Sequence, residues 1–139
     1  MPPEVFVDSS AWIAVTVETE QYHRVAIDAY RLLLQRSIVL ITTNLAISEA
    51  YISIRRHGGH AAAVRFLESI RQSPRVIKVY SDEALEADAE QILLRHADQD
   101  FSFVDAVSFA VMHSRGIADA FAFDHHFQTA GFTVIPAAK

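Results

Sequence analysis

The chain has 139 residues, 51% of them hydrophobic and 21% charged, with a formal net charge of −5. This size and composition exclude a disordered chain and predict one domain over residues 1–139 with a sizeable core. There is no cysteine, which excludes a disulfide framework, a thiolate metal site and a cysteine nucleophile. The acidic balance counts against a surface built for nonspecific binding of a polyanion. The first residues lack a basic segment followed by a long apolar one, and no apolar run reaches the roughly 20 residues that cross a bilayer. The expectation is a cytoplasmic protein without a membrane segment.

Val5 to Val7 reads as a short buried strand that meets an acid at Asp8. Ser9 and Ser10 are then placed to cap a helix through Val15. Tyr22, Val25, Ala26, Ala29, Tyr30 and Leu33 recur at helical spacing and predict a second helix. Ile38 to Ile41 is a β-branched and leucine run, hence a strand. Thr42, Thr43 and Asn44 offer caps for a helix over Leu45 to Arg56, which Gly58 and Gly59 end. His60 to Gln72 is a further amphipathic helix, stopped before Pro74. Val76 to Val79 is a strand, and Asp82 to His96 a helix with Ala84, Leu85, Ala89, Ile92 and Leu93 inward. Ser102 caps a helix through His113. Ala120 to Phe123 is a strand with Asp124 at its end, and Phe132 to Ile135 is the last strand. The alternation predicts an α/β domain whose mostly parallel sheet is covered on both faces. Ligands of such sheets bind at the carboxyl ends of the strands.

Four acids stand in apolar surroundings: Asp8, Glu49, Asp105 and Asp124. Glu49 has Leu45 at i−4 and Ile52 at i+3, so its helix face is expected to point inward. Asp105 takes helix position N3 if Ser102 is the N-cap. A buried carboxylate needs a proton or a partner, and no basic residue adjoins any of the four in sequence. A hard divalent cation satisfies the requirement, and magnesium and manganese favour such oxygen ligands. Held this way, a metal polarises a phosphodiester and activates a water. Ser9 and Ser102 adjoin this set and are candidates to orient a water or a carboxylate. Taken singly, Asp8 and Asp124 also read as turn or helix caps, and Asp105 as a capping acid.

Four segments in order carry a resemblance: Val5-Phe6-Val7-Asp8-Ser9-Ser10, Thr43-Asn44-Leu45-Ala46-Ile47-Ser48-Glu49, Ser102-Phe103-Val104-Asp105-Ala106 and Phe123-Asp124-His125-His126-Phe127. Together they resemble the PIN-domain ribonucleases, in particular the VapC-type toxins of bacterial toxin–antitoxin systems. The resemblance spans essentially the whole chain. It implies a three-layer α/β/α fold on a sheet of about five short strands. It also implies endonucleolytic RNA cleavage dependent on Mg2+ or Mn2+, a VapB-like antitoxin and a homodimer. Carried over by position, the catalytic and metal-binding acids are Asp8, Glu49, Asp105 and Asp124. Many relatives carry a Thr or Ser where Ala122 stands here, so a hydroxyl near the metal is missing. Asp119 ranks lower as an extra acid, because it is expected to precede the strand.

Other constellations are weaker. No His-Glu-x-x-His or close His-x-His pair is present, so the seven histidines do not predict a zinc site. His125 and His126 read as a polar turn opening a short helix, with a phosphate contact by one of them as the less favoured reading. Arg55, Arg56, His57 and His60 form a basic patch that is either a solvated helix end or a phosphate contact. Trp12, Tyr22 and Tyr51 are assigned to the core or an interface in preference to base-stacking platforms. A non-catalytic binding module, whose acids hold a structural ion or a basic partner, is the alternative function. A phospho-aspartyl enzyme requires a second Asp where Ser10 stands, and no Gly-x-Ser-x-Gly elbow occurs.

Overall fold

Val5, Phe6 and Val7 are buried one after another, and that makes Glu4–Val7 the central strand β1. The structure is a computed structural model and describes residues 2–137. After β1 come α1 (Ser9–Thr16), α2 (His23–Gln35), β2 (Val39–Thr43), α3 (Asn44–Gly58) and α4 (His60–Gln72). The second half holds β3 (Val76–Val79), α5 (Glu83–Arg95), α6 (Phe103–Arg115), β4 (Asp119–Phe121), α7 (His126–Thr129) and β5 (Thr133–Ile135).

The five strands pair in the order β3-β2-β1-β4-β5, and every pairing is parallel. Side-chain alternation on the strands feeds two cores. Val5, Val7, Leu40 and Phe121 pack with Trp12, Ile54 and Phe66 from the helices α1 to α4. Phe6, Ile41 and Ala120 face the other way, onto Phe109, Met112 and Phe127 from the helices α5 to α7. The result is the expected three-layer α/β/α arrangement. Each fully buried phenylalanine contributes about 1.5–3 kcal/mol of transfer free energy.

One buried polar chain ties the layers. Trp12 Nε1 donates to Thr42 Oγ1 at 3.1 Å, and that hydroxyl donates to the Val7 carbonyl at 2.9 Å. Neither group is left unpaired, as burial demands.

The topology positions the site. From β1 the chain builds outward through β2 and β3, then returns to the other side of β1 with β4 and β5. The order reverses between β1 and β4. A crevice opens at the carboxyl ends of strands at such a switch point. Asp8 follows β1 directly, and Asp124 follows β4 by three residues.

Several boundaries differ from expectation. The N-cap of α1 is Asp8, whose side chain accepts from Ser10 N; Ser9 and Ser10 are already helical. β2 runs on to Thr43, so Thr42 belongs to the sheet. Thr43 caps α3, its Oγ1 accepting from Ala46 N at 3.0 Å. The Asn44 side chain instead accepts from Ser81 N at 2.8 Å. β4 ends at Phe121, because Phe123 N turns away to Ser10 Oγ. Asp124 therefore sits in the loop and not at the strand end. Asp119 opens β4, at the end of the sheet away from Asp8. Ala84 is exposed although Leu85, Ala89, Ile92 and Leu93 pack as expected.

Candidate metal and active site

Asp8 is fixed by its own helix. Its Oδ2 accepts from Ser10 N at 3.2 Å and from Ser10 Oγ at 2.6 Å. Its Oδ1 is buried and has no hydrogen-bond partner among the described residues. The residue is 2% exposed. Burial pushes its pKa up to about 7; the Ser10 hydrogen bonds oppose the rise, and the charges of Asp105 and Asp124 add to it. Three acids from distant parts of the chain thus share one electrostatic neighbourhood. Ser10 Oγ also accepts from Phe123 N at 2.9 Å. One hydroxyl therefore couples the end of β1 to the loop that carries Asp124.

Asp105 lies in the first turn of α6, in a capping box with Ser102. Asp105 N donates to Ser102 Oγ at 3.0 Å, and Ser102 N donates to Asp105 Oδ2 at 3.1 Å. The box explains why an acid is tolerated at 5% exposure. Asp124 is half-buried, and its Oδ1 accepts from His126 N at 2.9 Å, which starts α7.

His126 joins the two acids. Its Nδ1 lies 2.8 Å from Asp105 Oδ2 and 3.2 Å from Asp124 Oδ1. Its Nε2 lies 3.0 Å from Asp100 Oδ1. Burial lowers the His126 pKa, but the charge of Asp124 and the contacts with Asp105 and Asp100 outweigh it, so the net shift is upward. An imidazolium donating from both nitrogens matches these three carboxylates. Donor atoms of Asp105, Asp124 and His126 all lie within 4.8 Å of one another, and so do those of Asp100, His125 and His126.

Glu49 is placed differently from expectation. Its side chain is exposed, and the buried face of α3 is Ala46, Ile47, Ala50 and Ile54. Ile52, the i+3 neighbour, is also exposed. The segment is apolar on more than one side, so its neighbours did not define the inward face. Glu49 still reaches the edge of the site, because Ser9 Oγ donates to its Oε1.

The structure thus brings Asp105 and Asp124 together around His126, sets Asp8 within reach of their charges, and attaches Glu49 through Ser9. Sequence reasoning missed Asp100 and the contacts of His126 and Ser10 with the acids. The Asp-His-His run was visible, but only the α7 turn swings His126 back over α6. Ala122 is buried and offers no hydroxyl. The basic patch Arg55, Arg56, His57 and His60 is exposed at the end of α3. The donor set suits a hard divalent cation. It is oxygen-rich, carries concentrated negative charge, and includes a buried carboxylate oxygen with no other partner.

The profile of the PIN domain family matches residues 5–132. The chain is 38% identical over 131 residues to the 23S rRNA-specific endonuclease VapC20 of Mycobacterium tuberculosis, strains CDC 1551 / Oshkosh and ATCC 25618 / H37Rv, covering 94% of this chain and 97% of that protein. The crystal structure of M. tuberculosis VapC20, described as a sarcin-ricin loop cleaving toxin, superposes with a TM-score of 0.83 over 93% of this chain and 96% of its own, at 38% identity. On this profile match and this identity across nearly the whole length, the chain belongs to the PIN domain family.

Proposed function

We propose that this chain is a metal-dependent endoribonuclease and the toxin of a toxin–antitoxin pair. The observation that carries the reading is the unpartnered, buried Oδ1 of Asp8 beside the charges of Asp105 and Asp124. Three carboxylates whose charges raise one another's cost of ionisation are satisfied by a cation. Asp8, Asp105 and Asp124 would hold Mg2+ or Mn2+, and Glu49, set by Ser9, is the fourth acid at the edge. When bound, the cation supplies Lewis acidity toward a phosphodiester oxygen and lowers the pKa of a water.

The protein's own part is positioning. Ser10 holds Asp8 in one rotamer and holds the Asp124 loop against it. The Ser102 box fixes Asp105. These contacts set the donors before substrate arrives, so little reorganisation remains for the reaction. An RNA substrate and an inhibitory VapB-like antitoxin belong to the same reading, supported by the likeness to the mycobacterial toxin, and a homodimer is proposed with them.

The test is cleavage of a mixed RNA pool by wild type and by Asp8→Asn, with Mn2+ or Mg2+ titrated in. Metal-dependent internal cuts by wild type, lost in Asp8→Asn, are expected. A variant as fast as wild type removes the assignment. A wild type that binds the metal but never cleaves favours a non-catalytic acidic module.

A further inference from the structure

Two cavities flank Asp124. The larger, about 490 Å³, is walled by Val25, Phe123, Gln128, Val134 and Pro136, and is mainly apolar. The smaller, about 290 Å³, runs past Ser10 to Ser53 and His57. Tyr22, Phe123 and Asp124 line both. These three residues therefore form the ridge between the cavities, at the lip of the acid cluster. The rings of Tyr22 and Phe123 stack nearly parallel, 8° apart, with centroids separated by 5.0 Å. Tyr22 remains 43% exposed although the stack holds it in place.

We propose that the larger cavity is a nucleobase subsite: a base next to the scissile phosphate stacks on the Tyr22–Phe123 ridge while the backbone leaves through the smaller cavity toward His57. The proposal rests on the endoribonuclease reading and deepens it. Single-stranded RNA is recognised by splaying out bases onto aromatic side chains and hydrogen-bonding their edges. The larger cavity offers both features, an aromatic ridge and the Gln128 amide, which donates and accepts. Its volume lies in the range of pockets that hold one small organic group. A base there shares the Asp124 wall with the acids, as a nucleotide being cut at them requires. The other cavity, lined by Glu20 as well as His57, reaches the α3 helix near its end, where Arg55, Arg56 and His60 are exposed. That patch gives a phosphate backbone a cationic path across a protein whose net charge is −5.

The test places 2-aminopurine, an adenine analogue dimmed by stacking, at successive positions of a short single-stranded RNA. Full-length protein carrying Asp8→Asn is the host, so the RNA stays uncut. Quenching at one position is expected. Adding Tyr22→Ala removes it and weakens binding about tenfold, while Tyr22→Phe restores both. In otherwise wild-type protein, Tyr22→Ala raises KM more than it lowers kcat and broadens the base preference at the cut, and Gln128→Ala changes which base is preferred. Quenching and cut-site preference that survive Tyr22→Ala overturn the subsite and leave the groove to a protein partner. Failure of wild type to cleave any RNA is a separate result and removes the nuclease reading instead.

Discussion

His126 Nδ1 lies 2.8 Å from Asp105 Oδ2, though the two residues are 21 positions apart in sequence. The same imidazole reaches Asp124 at 3.2 Å. A side chain thus stands as a cation among the acids proposed to bind one. Replacing His126 by Ala removes this competitor. Mn2+ affinity measured by calorimetry at pH 6.5 is expected to rise by up to about tenfold, equivalent to about 1.4 kcal/mol. A fall in affinity would mean that the imidazole is itself a ligand and not a competing cation.

Asp8 makes the metal-free protein pH-sensitive. Its folded pKa of about 7 lies above the ordinary 3.8. Between those values the folded state keeps a proton that the unfolded state has released. The stabilisation is full below about pH 4 and is lost as pH rises through 7, at about 1.4 kcal/mol for each pH unit between the two values. In metal-free denaturant melts, wild type should lose stability relative to Asp8→Asn over this window. The upward shift of His126 works in the same direction but is common to both proteins. Parallel pH profiles for the two would contradict the placement of Asp8.

Ser10 touches both halves of the site, and nothing in its chemistry requires it to touch substrate. Ser10→Ala leaves Asp8 Oδ2 only the weaker bond from the residue 10 backbone N and releases Phe123 N. Activity at saturating RNA should fall about 10- to 100-fold, the range for losing a group that orients a metal ligand. Added Mn2+ should restore part of the loss, because the ligands remain. A merely structural serine would lower the melting temperature without changing the Mn2+ dependence of the rate.

Thr42 tests the fold and not the chemistry. Thr42→Val keeps the shape but leaves Trp12 Nε1 and the Val7 carbonyl without their shared partner. Denaturant unfolding should show a loss of about 1–3 kcal/mol. Mn2+ affinity should be unchanged, since the Thr42 hydroxyl bonds Trp12 and Val7 and none of the acids.

The layers of this fold were legible in the chain. Apolar runs such as Val5 to Val7 and Ile38 to Ile41 mark strands buried on both faces, and the capping box at Ser102 and Asp105 marks where α6 begins. Loops and helix rotation were less legible. The position of Asp124 depends on Phe123 N bonding Ser10 Oγ, a contact between residues 113 positions apart. The face of Glu49 could not be read because Leu45, Ile47 and Ile52 surround it on several sides of α3. His126 looked like a turn residue and does start α7, yet its ring also sits against α6. Tyr22 matched the apolar stripe of α2 but lies just before the helix, stacked on Phe123 and partly exposed.

Everything proposed for the site depends on Asp8, Asp105 and Asp124 sharing one divalent cation. Anomalous diffraction from crystals grown with Mn2+ locates that ion. A manganese peak is expected within coordination distance of Asp8 Oδ1 and of carboxylate oxygens of Asp105 and Asp124, with the His126 ring displaced from its present contacts. A peak only at Asp100 and His125, or none near Asp8, would show that the three acids do not form the metal centre.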